Sequence, residues 1–142
     1  MHFTVLGAGA MGLRYGVLLQ EAGNQVDFVD TWQANVEQIH RQGGVYVSRD
    51  HQNRHLVPVK VSTPEDYHDD PDVWVVFTKQ MQLAYFLTRT AHAFNGRQYV
   101  LTCMNGMGHV EKLLHYFKPE KLLAGTALVA TVLNGPGDVD FI

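Results

Sequence analysis

The sequence predicts an α/β fold in which one doubly wound, mostly parallel sheet is covered by helices on both faces, as a single domain over residues 1–142. Three observations lead to this prediction. Short apolar runs rich in Val, Leu and Phe alternate with stretches of helical periodicity. A glycine-rich turn joins the first run to the first helical stretch. Alternating strands and helices of this kind form parallel sheets with right-handed crossovers.

The first part of the chain contains two strand–helix units, each followed by glycine. The first strand, FTVL, stops at a glycine, and the helix after it ends at Gly23-Asn24. The second strand, QVDFVD, is followed by a helix that ends before Gly43-Gly44. The predicted bounds are strands at 3–6 and 25–30 and helices at 10–22 and 32–41.

A hairpin outside this repeat is predicted next. The extended runs VYVS, residues 45–48, and HLVPVKV, residues 55–61, flank the polar segment RDHQNR. Two further strand–helix units follow, with strands DVWVVFT at 72–78 and QYVLTCM at 98–104 and helices at 80–94 and 109–117.

The last part of the chain is irregular. LLAGTALVATVL, residues 122–133, indicates a strand region, NGPGD is a turn, and VDFI begins another strand that stops at Ile142. We expect a chain that stops inside a strand to be part of a longer protein.

Composition excludes several function classes. Hydrophobic residues make up 46% of the chain and charged residues 18%, which is ordinary for a globular domain. The net charge is −3 and no run of Lys or Arg occurs, so neither nucleic acid nor a membrane surface is an expected partner. No signal peptide or apolar stretch of about 20 residues is present. The single cysteine, Cys103, forms no internal disulfide, and we expect a cytoplasmic location.

The glycine turn has the spacing G-x-G-x-x-G from Gly7 to Gly12, directly after a strand. In a dinucleotide site Gly7 allows the tight turn, Gly9 lets the backbone approach a pyrophosphate, and Gly12 lets the helix pack closely. The motif alone also fits a tight turn with small-residue packing, since Gly12 and Gly16 share one side of the helix. Asp30 ends the second strand 18 residues after Gly12, near the roughly 20 expected for a ribose-binding acid. Together these features predict a Rossmann-type dinucleotide site.

Other cofactors fit the loop less well. Methyltransferases usually carry G-x-G-x-G, whereas position 11 is Met here. FAD enzymes share the fingerprint but usually need a longer chain to cover the flavin. The loop therefore favours a nicotinamide dinucleotide.

Polar residues follow the next two predicted strands at the sheet edge where ligands bind. Lys79 leaves the strand DVWVVFT, and Asn105 follows QYVLTCM with Gly106 and Gly108 beside it. A cation at a helix start is unfavourable without an anionic partner, so Lys79 indicates an anionic ligand, although a solvated lysine remains open. Asn105-Gly106 is equally a common tight-turn pair.

Four segments together resemble the ketopantoate reductase family, the 2-dehydropantoate 2-reductases: VLGAGAMG, VFTKQMQ, MNGMGHVEKL and GTALVATVLNGPGDV, at the family's spacing. The resemblance covers nearly the whole chain. It implies an oxidoreductase that passes hydride from NAD(P)H to a 2-oxo acid, ketopantoate or a related branched one, giving the D-2-hydroxy acid. It also implies that Lys79 and Asn105 help to position substrate and nicotinamide. The implied cofactor-binding residues are Gly7, Ala8, Gly9, Ala10, Met11, Gly12, Asp30, Thr78, Lys79, Asn105 and Thr131.

Family members also carry a second, helical domain that supplies a lysine general acid and most substrate contacts. The resemblance therefore implies that residues 1–142 contain no complete catalytic set and do not turn over alone. An NAD(H)-sensing module without catalysis remains open from the residues themselves, and a homodimer is possible.

One segment departs from the family pattern. Ketopantoate reductases typically place an arginine after the second strand to receive the 2′-phosphate of NADPH. This chain has FVDTW, with Asp30, Thr31 and Trp32 in that place. We therefore expect NADH to be favoured, as in the family's NAD-linked D-2-hydroxyacid dehydrogenase branch.

No metal site is predicted. His51 and His55 are four residues apart but lie in a polar loop without a third ligand, and EDYHDDPD, residues 65–72, indicates a charged loop. Cys103 lies in an apolar strand without a neighbouring base, which indicates an inert thiol.

Overall fold

Strands and helices alternate along most of the chain. The structure, a computed structural model, describes residues 1–104, 108–127 and 129–142. In these residues the strands are His2–Leu6 (β1), Gln25–Val29 (β2), Val45–Arg49 (β3), Gln52–Val57 (β4), Lys60–Ser62 (β5), Val73–Val76 (β6), Tyr99–Thr102 (β7), Leu122–Ala124 (β8), Thr131–Gly135 (β9) and Asp138–Phe141 (β10). The α-helices are Ala10–Glu21 (α1), Gln33–Gln42 (α2), Leu83–Thr90 (α3) and His109–Leu113 (α4).

Six strands form the main sheet, in the order β5-β2-β1-β6-β7-β8. Every neighbouring pair in it is parallel. The chain runs outward from β1 to β5 and then returns to the other side of β1 with β6, so the order reverses between β1 and β6. This is the doubly wound arrangement, and the predicted α/β fold is confirmed. Ligands of such sheets bind at the carboxyl edge beside the reversal.

Both faces of the main sheet are buried, which explains the nearly continuous apolar runs of its strands. Successive residues of a strand point to opposite faces. Val5 lies in one core cluster together with Phe28, and Leu6 lies in the other together with Trp74. On the first face α1 lies very close to the sheet, because a Cβ at Gly16 would come within 2.2 Å of the Phe28 ring.

A second sheet of four strands, in the order β4-β3-β10-β9, is the main difference from the sequence prediction. The expected hairpin is present as β3 and β4, but β3 also pairs in parallel with β10 near the end of the chain. The run HLVPVKV is not one strand: it divides at Pro58, and Lys60–Ser62 joins the main sheet as β5. Proline has no N–H to donate to a ladder, which accounts for the break.

The run LLAGTALVATVL is likewise divided, since Leu122–Ala124 belongs to the main sheet and Thr131–Gly135 to the second. The helix predicted over 80–94 consists of α3 flanked by 3-10 turns at Gln80–Gln82 and Ala91–Ala93. The helix predicted over 109–117 is shorter in the structure, where α4 ends at Leu113. Among the described residues, no helix combines the length and apolar character that a bilayer crossing requires.

Arg14 of α1 ties the second sheet to the main fold. Its buried guanidinium donates to the carbonyl oxygens of Ala130 (2.6 Å) and Ile142 (3.2 Å) and to the Thr131 hydroxyl (3.2 Å). It also lies 5.2 Å from the centroid of the Phe141 ring. These contacts hold β9 and β10 against the helix that follows the glycine loop.

Candidate functional site

A cavity of ≈ 640 Å³ opens at the carboxyl edge of β1, β2 and β6, where the strand order reverses. Its volume lies within the roughly 300–1,000 Å³ of small-molecule and cofactor sites. It is lined by the glycine loop, by the segments that follow β2 and β6, by α3 and by β9. The lining residues are Gly7, Gly9, Ala10, Met11, Asp30, Thr31, Trp32, Phe77, Thr78, Lys79, Gln82, Phe86 and Leu133.

Two glycines of the loop are required by the protein's own packing. Gly7 has φ +103°, and a Cβ there would lie 2.8 Å from the Phe77 carbonyl oxygen. Its N–H donates to the Val29 carbonyl, 2.8 Å away, which fixes the turn against β2. A Cβ at Gly12 would lie 1.8 Å from the Gly7 carbonyl oxygen. Side chains at either position would therefore disrupt the loop itself.

Gly9 is different. Its backbone is extended, with φ −85° and ψ −162°, and a Cβ would meet nothing within 4 Å. Neither backbone strain nor internal packing therefore requires glycine here. Gly9 borders the cavity and caps the twelve-residue helix α1, whose first turn contains no acidic residue. The free N–H groups and the partial positive charge of a helix N-terminus favour an anion at this place.

Asp30 follows β2 and borders the cavity, although only 7% of its surface is exposed. Its carboxylate accepts hydrogen bonds from the Thr31 N–H (2.9 Å) and from the Asn35 amide (2.8 Å). Burial raises the pKa of Asp30, and these hydrogen bonds oppose the rise. None of the ion pairs among the described residues involves Asp30. Asp30 is thus a buried acceptor at the edge of the cavity, and it makes no ion pair with the described residues.

Asn35, in the first turn of α2, is a site residue that the sequence reasoning missed. It is fully buried, and its amide donates to the Ala8 carbonyl (2.9 Å) and to Asp30 (2.8 Å). Its oxygen accepts from the Gly137 N–H at 2.8 Å. The sequence signal that could have identified it is its place on α2: Asn35 is a polar residue on the same buried face as Val36 and Ile39.

On the other side of β1, two predicted residues reach the cavity after β6. Thr78 is buried, and Lys79 is exposed with an extended backbone that begins the 3-10 turn at Gln80–Gln82. The ion pairs of the described residues do not include Lys79. Its ammonium group is thus available to an anionic ligand.

The remaining predicted cofactor residues lie in different places. Ala10 and Met11 line the cavity, whereas the buried Ala8 contributes its carbonyl to Asn35. Thr131 begins β9 and accepts a hydrogen bond from Arg14, and it is not among the lining residues. Asn105 lies outside the described residues.

A smaller cavity of ≈ 140 Å³ shares Met11, Phe77 and Thr78 with the main one. Cys103 also lines it, just after β7, and burial raises the pKa of its thiol. A thiol with a raised pKa is mostly protonated near neutral pH, in keeping with the predicted inert cysteine.

The histidines considered as metal ligands have other partners. His51 pairs with the buried Asp140 at 2.9 Å, and His55 lies 2.7 Å from the Asn53 carbonyl oxygen. Among the described residues, three ligand atoms approach one another only at His2, Asp27 and Asp69. There His2 already pairs with Asp27 at 2.6 Å and Lys60 with Asp69 at 3.1 Å, so we assign no metal to this group.

Comparison with known proteins places the chain in a defined group. The sequence model of the family described as "Ketopantoate reductase PanE/ApbA" matches residues 3–141. A curated relative, the 2-dehydropantoate 2-reductase of Lactococcus lactis, is 30% identical over 138 residues. The match covers 96% of this chain and 44% of that relative, so the chain spans less than half the length of the relative.

Solved structures agree with the sequence comparison. D-mandelate dehydrogenase in a ternary structure with NADH and anilino(oxo)acetate has a TM-score of 0.94 and 28% identity, over 100% of this chain and 46% of that one. The 2-dehydropantoate 2-reductase of Geobacter metallireducens has a TM-score of 0.85 and 26% identity, over 99% of this chain and 46% of that one. Both similarities extend over essentially the whole of this chain, the glycine loop and the second sheet included.

Proposed function

The chain belongs to the ketopantoate reductase family, and on that premise we propose that it forms the nicotinamide-dinucleotide-binding part of an oxidoreductase that reduces a 2-oxo acid to the D-2-hydroxy acid. One observation carries the proposal: a single cavity at the strand reversal is bordered by both Gly9 and Asp30. The space beside Gly9 is open, and Asp30 is a buried hydrogen-bond acceptor. A dinucleotide has an anionic pyrophosphate for the first place and ribose hydroxyls for the second.

Each part of the cavity has a binding role in this proposal. The N–H groups at the start of α1 hold the pyrophosphate, and Gly9 leaves room for it. Asp30 accepts hydrogen bonds from ribose hydroxyls, and Trp32, 45% exposed, offers its ring to the adenine. The bound nicotinamide supplies the hydride.

The substrate side is proposed to lie near Lys79, whose ammonium group attracts the carboxylate of the 2-oxo acid. Ketopantoate and related branched 2-oxo acids share this carboxylate, so Lys79 does not choose between them. We place the general acid and most substrate contacts outside residues 1–142, in the part of the relatives that this chain does not match.

The 142-residue chain is therefore expected to bind NADH without reducing 2-oxo acids. The reason is that the cavity offers the proposed contacts to a dinucleotide, whereas we identify no proton donor for the alkoxide among the described residues. Fluorescence titration with NADH and steady-state assays with ketopantoate and other 2-oxo acids measure the two properties separately. Turnover by the purified chain would place the acid within it. Binding without turnover in a chain extended to the relatives' length would favour an NAD(H) sensor.

Replacing Lys79 by alanine in the extended protein is expected to raise KM for the 2-oxo acid about tenfold, because a charge-assisted contact to the carboxylate is lost. Lys118→Ala is the matched control, since Lys118 also begins a 3-10 turn with nearly the same backbone angles, φ −71° and ψ 151° against φ −69° and ψ 145°. Steady-state kinetics decide the matter. Equal KM values in both variants would show that Lys79 is a solvent-exposed lysine that does not contact the substrate.

NADH affinity is expected to fall as the pH falls through the raised pKa of Asp30. The ionised carboxylate is the better acceptor for ribose hydroxyls, so below that pKa the ligand must first displace a proton. The groups that face Asp30 in the described residues are neutral: the Asn35 amide and the N–H groups of Thr31 and Trp32. Titrations across acidic to neutral pH should show this loss in the wild type and a flatter profile in Asp30→Asn. Parallel profiles would assign the pH dependence to other groups.

A further inference from the structure

Asn35 joins three separate parts of the fold at one buried point. Its amide N–H groups reach the glycine loop at the Ala8 carbonyl and the Asp30 carboxylate, and its oxygen receives the N–H of Gly137. Residues 35 and 137 are brought together by the second sheet, since Gly137 lies in the turn between β9 and β10. The amide has one possible orientation, because the reverse would set its oxygen against two acceptors.

The third partner of Asn35 is itself held firmly. Gly137 has φ +67°, and a Cβ there would lie 2.7 Å from Gln42 Nε2. Its carbonyl accepts hydrogen bonds from the Tyr46 N–H (2.8 Å) and from Gln42 (3.2 Å). The turn therefore contacts both ends of α2, at Asn35 and at Gln42, and the Gly137 N–H fixes the orientation of the Asn35 amide.

We propose that Asn35 is the positioning residue of the nucleotide site, which holds the Asp30 carboxylate and the glycine loop in one fixed arrangement through the turn of the second sheet. The proposal rests on the proposed cofactor contact of Asp30. Asn35 does not line the cavity, so it acts on a ligand through Asp30 and the glycine loop. The Asn35 amide donates to Asp30 Oδ2, and the Thr31 N–H donates to Oδ1. These two hydrogen bonds fix the orientation of the carboxylate plane before a ribose binds.

A positioning role predicts effects that simple destabilisation does not. Asn35→Ala should weaken NADH binding at least tenfold and NADPH binding less, because only the ribose of NADH is expected to depend on an ordered, ionised carboxylate. The NADH-to-NADPH preference should therefore shrink. The pH at which NADH affinity is lost should also rise, because the Asn35 hydrogen bond lowers the pKa of Asp30 in the wild type.

Gln98→Ala is the matched control. Gln98 is also a buried amide, 2% exposed, and it bonds Trp74 (2.7 Å), Asp70 (2.8 Å) and the Ala93 carbonyl (3.1 Å). It precedes β7 at the amino edge of the sheet, away from the cavity. We expect this variant to lower Tm about as much as Asn35→Ala does while leaving the cofactor preference and the pH profile unchanged.

Asn35→Asp keeps the size of the side chain and serves if the alanine variant does not fold. The new carboxyl at position 35 donates to Asp30 only when it is protonated. NADH affinity in this variant should therefore recover as the pH is lowered from neutral, opposite in sign to the wild type.

Two results would overturn the positioning role: equal losses of NADH and NADPH in Asn35→Ala, or a pH profile in Asn35→Asp that follows the wild type. Failure of the wild-type chain to bind NADH would instead refute the proposed function. If the wild type binds NADH but Asp30→Asn binds it equally well, the cofactor contact of Asp30 fails and the role of Asn35 fails with it.

Discussion

Gly9→Val is expected to abolish NADH binding, a loss of roughly a hundredfold or more, while the protein keeps its fold. The backbone of Gly9 is extended and open space surrounds the position of a Cβ, so neither backbone strain nor a Cβ contact opposes valine. Its branched side chain would instead fill the approach to the start of α1, where the pyrophosphate is proposed to lie. Calorimetric or fluorescence titration measures the affinity, and thermal unfolding measures the fold.

Two glycine variants make this result interpretable. Gly96→Val is the matched control, because a Cβ at Gly96 also meets nothing within 4 Å and Gly96 lies outside the cavity. It should bind NADH as the wild type does. Gly12→Val should lower Tm sharply or prevent folding, since its Cβ would lie 1.8 Å from the Gly7 carbonyl oxygen. A folded Gly9→Val protein with unchanged affinity would remove the glycine loop from the site.

NADH is expected to bind at least tenfold more tightly than NADPH, a difference of about 1.4 kcal/mol or more. In the proposed binding mode a 2′-phosphate would lie beside the buried Asp30 carboxylate, and at a few ångströms and an intermediate dielectric the repulsion is on the order of a few kcal/mol. Lys79 is the lining residue with a permanent positive charge, and it follows β6 rather than β2. It is therefore separated from Asp30 by β1, at a distance of roughly two strand spacings.

The double variant Asp30→Ala with Thr31→Arg should shift the preference towards NADPH. The first change removes the repulsion, and the second supplies a guanidinium that pairs well with phosphate. Each single variant should give part of the shift. The wild type, the two single variants and the double variant therefore form a double-mutant cycle, in which the affinity of each protein for both cofactors is measured by titration. Equal or tighter NADPH binding by the wild type would show that Asp30 does not face the ribose.

Much of the main sheet was predictable because its signals are local. Apolar runs marked the strands, and glycines marked the ends of α1 and α2. Asp30, which directly follows β2, was singled out by its spacing from the glycine loop. These features depend on neighbours within a turn or a strand, which a single sequence displays directly.

The roles of the individual glycines were only partly visible in the sequence. Gly7, Gly9 and Gly12 share one motif, yet Gly7 and Gly12 are required by contacts with residue 77 and with the loop itself, and Gly9 is not. The distinction depends on where each missing Cβ would point. Only the folded backbone gives that direction.

The sequence by itself determined the fold class and the resemblance to a reductase family, and it predicted a dinucleotide site at the glycine loop and at the acid in position 30. The tertiary structure decided three features. β3 pairs with β10 in a second sheet, Lys60–Ser62 pairs with β2 in the first sheet after the break at Pro58, and Asn35 accepts a hydrogen bond from Gly137. The physical reason is the range of the interactions. Propensity and periodicity act over a few residues, whereas these contacts join segments far apart in the chain, and they form only when the whole core has packed.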